Sequence, residues 1–369
     1  MKLSLPIEPL SNWLKPQNPN EPLIIAGPCS AETEEQLLVT ARQLAQTGKI
    51  SAIRAGIWKP RTRPGEFEGI GSIGLQWLKK VKEETGLPTT VEVANAKHVE
   101  EALAAGVDIL WVGARSTVNP FTVQEIADAL RGVDIPVMVK NPVNPDLSLW
   151  IGALERINGA GITKLAAIQR GFSSFEKSAF RNEPMWELAI QLKTQCPELP
   201  IICDPSHICG NRELIPYISQ KALDLDMQGL MIESHLDPST AWTDAKQQLT
   251  PGALADLISH LTLRHAEPQS AVVSDKLAEL RKQIDKIDDQ IIQKMAERMQ
   301  IVAKIGEYKR DNDLTILQVN RWDEIMHKRA DFAKALKLDL DFTSKLLELI
   351  HNESIRKQTE IMNKKTVEA

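Results

Sequence analysis

Residues 200–235 read PIICDPSHICGNRELIPYISQKALDLDMQGLMIESH, and their pattern decides the fold. Two apolar runs, Pro200–His207 and Gly229–His235, have the length of buried parallel strands, and a helical stretch separates them. Each run ends in a group that binds metals: His207 in the first, Glu233 in the second, with Asp244 following in LDPSTAWTD. A third run, LIIAGPCS at 23–30, ends in Cys29. Taken singly these residues are ordinary. A lone Cys is commonly a small buried hydrophobe, and His207 after Asp-Pro-Ser could cap a turn. A carboxylate closing an apolar strand is different, because buried charge needs a partner. A thiolate, an imidazole and two carboxylates at like ends of strands predict a divalent transition-metal site.

The same alternation runs on both sides. Apolar runs at Leu23–Cys29, Ser51–Ile57, Pro88–Val93, Ile109–Ala114, Pro136–Pro142 and Lys164–Gly171 precede the two above, which makes eight. Amphipathic stretches such as TEEQLLVTARQLAQTG and NAKHVEEALAAG lie between them, several ending in Gly as helices do. Strand and helix repeated eight times predict an α/β fold, a (β/α)8 TIM barrel, with Pro251–Leu263 as the last helix. A doubly wound open sheet is the competing arrangement, and the lack of a Gly-rich dinucleotide loop disfavours it.

Chemistry in such barrels sits where the strands end. The residues there are uniform in type: Arg54 and Lys59 with Arg61, Arg115 in VGAR, Lys140 in VMVK and Arg170 in IQRG. Cations converging on one cleft call for an anion, phosphate above all. The residues therefore predict a metal-assisted barrel enzyme acting on phosphorylated small molecules.

The chain has 369 residues, 43% hydrophobic and 25% charged, with net charge −5. That gives no support for general nucleic-acid affinity. Four Cys in this length do not form a disulfide framework and suggest a reducing compartment. MKLSLPIEPLSNWLKPQNPN has Pro and polar residues where a signal peptide needs an apolar run, and no stretch is apolar enough to span a membrane. A cytoplasmic protein is expected.

Beyond HAEPQSAVVS (265–274), a short polar linker, strand signals stop. Leu277, Leu280, Ile284, Ile287, Ile291 and Met295 step by three and four, so one helix runs more than thirty residues. Further helices are expected over Gln318–Leu336 and Phe342–Lys364. Three helices, one so long, cannot cover this stripe within one chain, which predicts a dimer. Arg298 and Lys309 share a helical face. Arg281 lies about 25 Å from Arg298 along the axis, so one small dianion can meet both only if Arg281 comes from the other subunit. The domains are thus 1–264, a linker over 265–274, and 275–369.

GPCS, KPRTRP, VGAR, VMVK, QRG, DPSH and IESH, with Asp244 after Glu233, resemble the short, type I-beta 3-deoxy-D-arabino-heptulosonate 7-phosphate (DAHP) synthases over roughly residues 20–265. The resemblance implies condensation of phosphoenolpyruvate with erythrose 4-phosphate, the entry to the shikimate pathway and aromatic amino acid biosynthesis. It implies that Cys29, His207, Glu233 and Asp244 hold the metal, Mn2+ first, with Fe2+, Co2+ or Zn2+ compatible. Arg115, Lys140 and Arg170 would hold phosphoenolpyruvate, with Arg54 and Lys59 at its carboxylate and reacting carbons. Pro60, Arg61 and Thr62 would bind erythrose 4-phosphate, and His235 would sit near the metal and help move a proton. A sister enzyme uses arabinose 5-phosphate; KPRT favours the four-carbon sugar. GFSSFE departs from the family pattern by placing Ser173 where an Arg is usual.

LRKQIDKIDDQIIQKMAERMQIVAKIGEYK (280–309) resembles the all-helical chorismate mutases over about 275–360. That resemblance places Arg281, from the partner subunit, with Arg298, Lys309, Arg321 and Gln358 around chorismate, in a rearrangement to prephenate without nucleophile or metal. Gln318 and Trp322 depart from the usual Asp and Glu; Gln318 would take over the substrate hydroxyl contact. The stretch before the first strand is too short for the regulatory domain many relatives carry, so the helical domain is the expected sensor for feedback by prephenate or chorismate. The competing reading makes it a regulatory and dimerisation module with little mutase activity.

Overall fold

Eight parallel strands close a barrel in chain order in the computed structural model, which describes residues 3–60, 65–175, 178–265, 267–317, 328–329 and 331–363. They are β1 (Leu23–Gly27), β2 (Ala52–Ala55), β3 (Thr89–Val93), β4 (Ile109–Val112), β5 (Val137–Lys140), β6 (Leu165–Gln169), β7 (Ile201–Cys203) and β8 (Gly229–Glu233). β1 pairs with β8 from Leu23↔Gly229 to Gly27↔Glu233, which removes the last sheet edge.

The two-residue period of a strand sorts side chains between the barrel's two layers. Ile24, Ala26, Ile53, Ala55, Val137 and Val139 face the outer helices. Leu23, Ile25, Ala52, Met138, Ile168, Ile202 and Met231 fill the interior. Two positions past the last apolar interior residue the same face turns polar: Ala52 leads to Arg54, Met138 to Lys140, Ile168 to Arg170, Ile202 to Asp204 and Met231 to Glu233. The opposite end is closed by chain: Leu14 is buried against this interior layer, with Leu10 and Trp13 beside it.

The outer helices begin at side-chain caps. Thr33 accepts from Gln36 N, Asn95 from His98 N, Asp146 from Leu149 N and Thr250 from Ala253 N. In Glu34–Gln46 the buried Leu37, Ala41 and Leu44 lie at helical spacing on the face toward the barrel.

The strands are shorter than the apolar runs that predict them, and the difference positions the site. β1 ends at Gly27 because Pro28 has no N–H to offer the ladder. A Cβ on Gly27 would stand 2.0 Å from Arg54 O, so the close approach of β2 requires glycine there. His207 is not on a strand. β7 stops at Cys203, and Pro205–Cys209 forms one helical turn with Pro at its start and the Asp204 side chain accepting from His207 N.

The chain divides into two compact units, Met1–Ala266 and Glu267–Ala369. In the second, a helix of 41 residues runs Ala271–Asp311, and another runs Leu340–Met362. The long helix starts inside the stretch expected as linker, because Ser270 accepts from Val273 N and caps it there. Of the helix expected over Gln318–Leu336, residues 328–329 and 331–335 are described and helical. Val302 and Gly306 are buried where the two long helices meet, and a Cβ on Gly306 would lie 3.3 Å from Gln358 Cγ. Nearer its start, Leu277, Leu280, Ile284, Ile287 and Ile291 are 37–57% exposed: nothing described in this chain covers that apolar stripe.

Candidate active site

At the mouth of the barrel Cys29, Glu233 and Asp244 bring one ligand atom each within 4.8 Å of one another. Cys29 Sγ lies 3.2 Å from Asp244 Oδ2, and His207 Nε2 lies 3.7 Å from Glu233 Oε1. Three of the four residues picked out as ligands from sequence thus share one cluster, and His207 lies beside it with its Nε2 against Glu233. Asp244 holds φ 50, a left-handed conformation that a non-glycine residue adopts at some cost and that is common where a site demands it.

The electrostatics suit a cation. Burial pushes the Cys29 thiol up to about 12, and the Glu233 charge adds to this. Burial also works to raise the Glu233 carboxyl, but His207 and Arg54 hold it below its ordinary value. For Asp244, Arg181 and His207 outweigh burial and keep it ionised. Glu233 Oε1 is buried without an aligned hydrogen-bond donor; its near neighbour is Arg54 Nη2 at 3.2 Å. An acceptor left so, beside a thiol and a second carboxylate, fits a divalent transition metal.

A cavity of about 290 Å³ opens beside this cluster. Arg54, Lys59, Arg115, Lys140 and Arg170 of the strand-end set line it, and so does Pro60. Lys59 Nζ donates to Cys29 Sγ at 2.7 Å and to Cys29 O at 3.2 Å. Burial works against its charge, but Cys29 and Glu233 hold the ammonium protonated above its ordinary value. Arg54 and Lys140 flank the Trp111 ring, at 5.2 Å and 5.7 Å from its centroid. Arg170 Nη1 donates to Asn182 Oδ1 at 2.8 Å, and burial lowers its guanidinium to about 10. Three buried cations, Arg54, Lys140 and Arg170, with the partly buried Lys59 beside them, leave positive charge for a bound anion to neutralise. Ser173, the departure noted in GFSSFE, also lines the cavity.

Some expectations land elsewhere. Arg61 and Thr62 lie outside the described residues. His235 is buried but does not line the cavity: its Nε2 sits 3.6 Å from Glu32 Oε2 and its Nδ1 accepts from Asp237 N at 3.0 Å. Past β8 the backbone stays paired, Ser234 N bonding Gly27 O and His235 N bonding Leu249 O.

Other residues were invisible in the sequence. Arg181 Nη1 holds Asp244 Oδ1 at 2.7 Å and Gln247 Oε1 at 2.9 Å. It sits in an irregular loop with no periodicity to mark it. Asp204 contacts both Lys140 and His207, at 2.9 Å and 2.8 Å. Its place in DPSH was visible, but not its partners. Glu92 enters the cavity from β3 and accepts from Trp111 Nε1 at 3.0 Å. Trp58 lines the cavity and stacks on His98, ring centroids 4.0 Å apart and planes 6° from parallel.

In the helical unit, Arg298 Nη1 donates to Ser354 Oγ at 2.6 Å. Gln358 Nε2 donates to Ser354 O at 3.4 Å, while its buried Oε1 has no hydrogen-bond partner among the described residues. Lys309 Nζ donates to Ile316 O. Burial, and then the charge of Arg329, a cation the sequence reading did not include, lower the Arg298 guanidinium. Arg281 is exposed on the long helix. Gln318, Arg321 and Trp322 lie outside the described residues.

Residues 16–264 match the family model of the DAHP synthetase I family, and residues 280–359 match chorismate mutase type II. A phospho-2-dehydro-3-deoxyheptonate aldolase of Thermotoga maritima is 32% identical over 238 residues, 64% of this chain and 68% of the relative. A 2-dehydro-3-deoxyphosphooctonate aldolase of Acidithiobacillus ferrooxidans is 28% identical over 64% of this chain and 86% of the relative. The crystal structure of the Thermotoga maritima DAHP synthase superposes with a TM-score of 0.58 at 30% identity, over 65% of this chain and 68% of that one.

Proposed function

The chain belongs to the DAHP synthetase I family and carries a chorismate mutase type II segment, hence two enzymatic activities, and from this premise we propose how its residues divide the work. The barrel condenses phosphoenolpyruvate with erythrose 4-phosphate. The observation that carries this reading is the cation-lined cavity beside Cys29, Glu233 and Asp244. Those three residues and His207 would hold a divalent ion, Mn2+ first, which supplies Lewis acidity toward an aldehyde oxygen when bound.

Arg115, Lys140 and Arg170 take the phosphate of phosphoenolpyruvate, and Arg54 and Lys59 its carboxylate. Pro60, with Arg61 and Thr62, receives the sugar phosphate. C3 of phosphoenolpyruvate attacks the aldehyde carbon and forms the new C–C bond. Water adds at C2, and phosphate leaves as its bond to C2 breaks. The Lys59 ammonium, placed against Cys29, is the proton donor in reach as the aldehyde oxygen becomes an alkoxide. Holding both anions against one wall of cations supplies orientation as well as charge.

The Trp58–His98 stack supports the strand-two loop that carries Lys59 and Pro60. A stacked pair contributes about 0.5–1.5 kcal/mol, so His98→Ala should raise KM for erythrose 4-phosphate by about 2–10-fold. His98→Phe should restore it. Equal KM in all three proteins, from steady-state kinetics, would remove the stack from the account.

In the helical domain Arg298, Lys309, Arg321 and Gln358 of one protomer, with Arg281 of its partner, hold chorismate compactly and stabilise charge on the ether oxygen. The exposed apolar stripe at Leu277–Ile291 supports a homodimer through this domain. Among the described residues no helix is long and apolar enough to cross a membrane, which accords with a cytoplasmic enzyme.

Prephenate bound to the helical domain is proposed to restrain the barrel. The deciding assay is loss of phosphoenolpyruvate with erythrose 4-phosphate and Mn(II), with and without prephenate. Turnover that prephenate suppresses is the expected result. Turnover indifferent to prephenate would leave two independent enzymes on one chain, and turnover only with arabinose 5-phosphate would replace the four-carbon sugar.

A further inference from the structure

We propose that Asp204 is a positioning residue that couples metal affinity to phosphoenolpyruvate affinity, by sharing one carboxylate oxygen between Lys140 and His207. The proposal rests on the synthase reading above.

Asp204 is fully buried between the end of β7 and the turn that carries His207. Its Oδ1 accepts from His207 N at 3.1 Å, which fixes the turn. Its Oδ2 lies 2.9 Å from Lys140 Nζ and 2.8 Å from His207 Nδ1. The ring N–H is not aligned on that oxygen, so this contact acts through charge. Lys140 lines the cavity where the anion binds, and His207 Nε2 faces Glu233 in the ligand cluster. One anionic oxygen therefore stands between the two halves of the site. A carboxylate beside one ring nitrogen keeps the proton there and makes the other nitrogen the better metal ligand.

The sign of the coupling follows from charge. A bound phosphoenolpyruvate anion draws on the Lys140 ammonium and leaves more of the Asp204 charge to His207, whose Nε2 then binds metal more tightly. Conversely, a cation held in the ligand cluster beside His207 would draw the Asp204 carboxylate toward that side and release Lys140 to the anion. Each ligand raises the affinity of the other, by the same factor. An Asp204 that only supports the turn would change stability and leave this factor alone.

The test is a titration of the full-length, metal-stripped protein with Mn(II), free Mn(II) being followed by electron paramagnetic resonance, with and without saturating phosphoenolpyruvate. In the wild type the substrate should tighten Mn(II) binding at least about 5-fold. Asp204→Asn keeps the shape and removes the charge; it should weaken Mn(II) binding about 10–100-fold and bring the coupling factor close to one. If the wild type binds no phosphoenolpyruvate, the substrate reading fails. If it binds phosphoenolpyruvate and the coupling factor is absent, or equal in wild type and Asp204→Asn, the coupling proposal alone fails. Should Asp204→Asn not fold, the metal-free wild type still decides: phosphoenolpyruvate should shift the 15N resonance of His207 Nδ1, and an unmoved resonance overturns the proposal.

Discussion

Cys29→Ala is expected to lower synthase turnover by at least about 10³-fold, a loss of roughly 4 kcal/mol of transition-state stabilisation. The side chain is fully buried at the centre of the ligand cluster, within 3.2 Å of Asp244 and 2.7 Å of Lys59. Alanine removes the soft donor, and it also removes the partner that aims the Lys59 ammonium into the cavity. Water cannot readily replace it, since no other donor there has the same softness. Treating the wild type with a chelator should reproduce the loss, and added Mn(II) should reverse it in the wild type but not in the variant. The mutase rate should be unchanged in both, because none of the residues assigned to chorismate belongs to the barrel. Initial rates alongside metal content by mass spectrometry check this. A Cys29→Ala protein that is metal-free and still turns over at a tenth of the wild-type rate would refute the assignment.

Arg298→Ala and Arg281→Ala should each abolish mutase activity, to about 10²–10³-fold below wild type, since a positioned donor to developing charge is worth that much. The geometry makes a sharper demand on the pair. Both residues lie on one helix of 41 residues, about 25 Å apart along its axis. Arg298 is anchored on Ser354 of the C-terminal helix, whereas Arg281 is exposed on the stretch whose apolar stripe its own chain leaves open. The proposed shared site therefore pairs Arg298 of one protomer with Arg281 of its partner. Mixing the two inactive variants and allowing subunits to re-pair puts half the chains in heterodimers, each with one intact site, so about a quarter of the wild-type activity should return. Continued inactivity, with heterodimers demonstrated by mass, would place both arginines in one protomer's site.

Much of this architecture was legible in the chain itself. Short apolar runs such as LIIAG and GLMIE report burial on both faces, which only a covered parallel sheet provides, and eight of them closing with helices between leave few topologies. The strand-end cations Arg54, Lys140 and Arg170 and the carboxylate Glu233 were legible for the same reason: a period of two aims the residue two positions past the last apolar interior one into the mouth of the barrel, whereas Cys29 and Asp244 lie beyond their strands and were marked by residue type alone. The exposed stripe of the long helix was likewise written in its three- and four-residue spacing.

What only the tertiary structure decided is which charges meet. Arg181 reaches Asp244 from an irregular loop 63 positions away, and Lys140 reaches Asp204 across 64. Residues in loops carry no periodicity, and an ion pair leaves no mark on either partner's neighbours in sequence. The same limit applies to His235: its motif lies beside Glu233, but that its ring stands 3.6 Å from Glu32 could not be read from the motif. Period and composition determine which face a side chain takes; the meeting of distant loops determines its partner, because that depends on closure of the whole barrel.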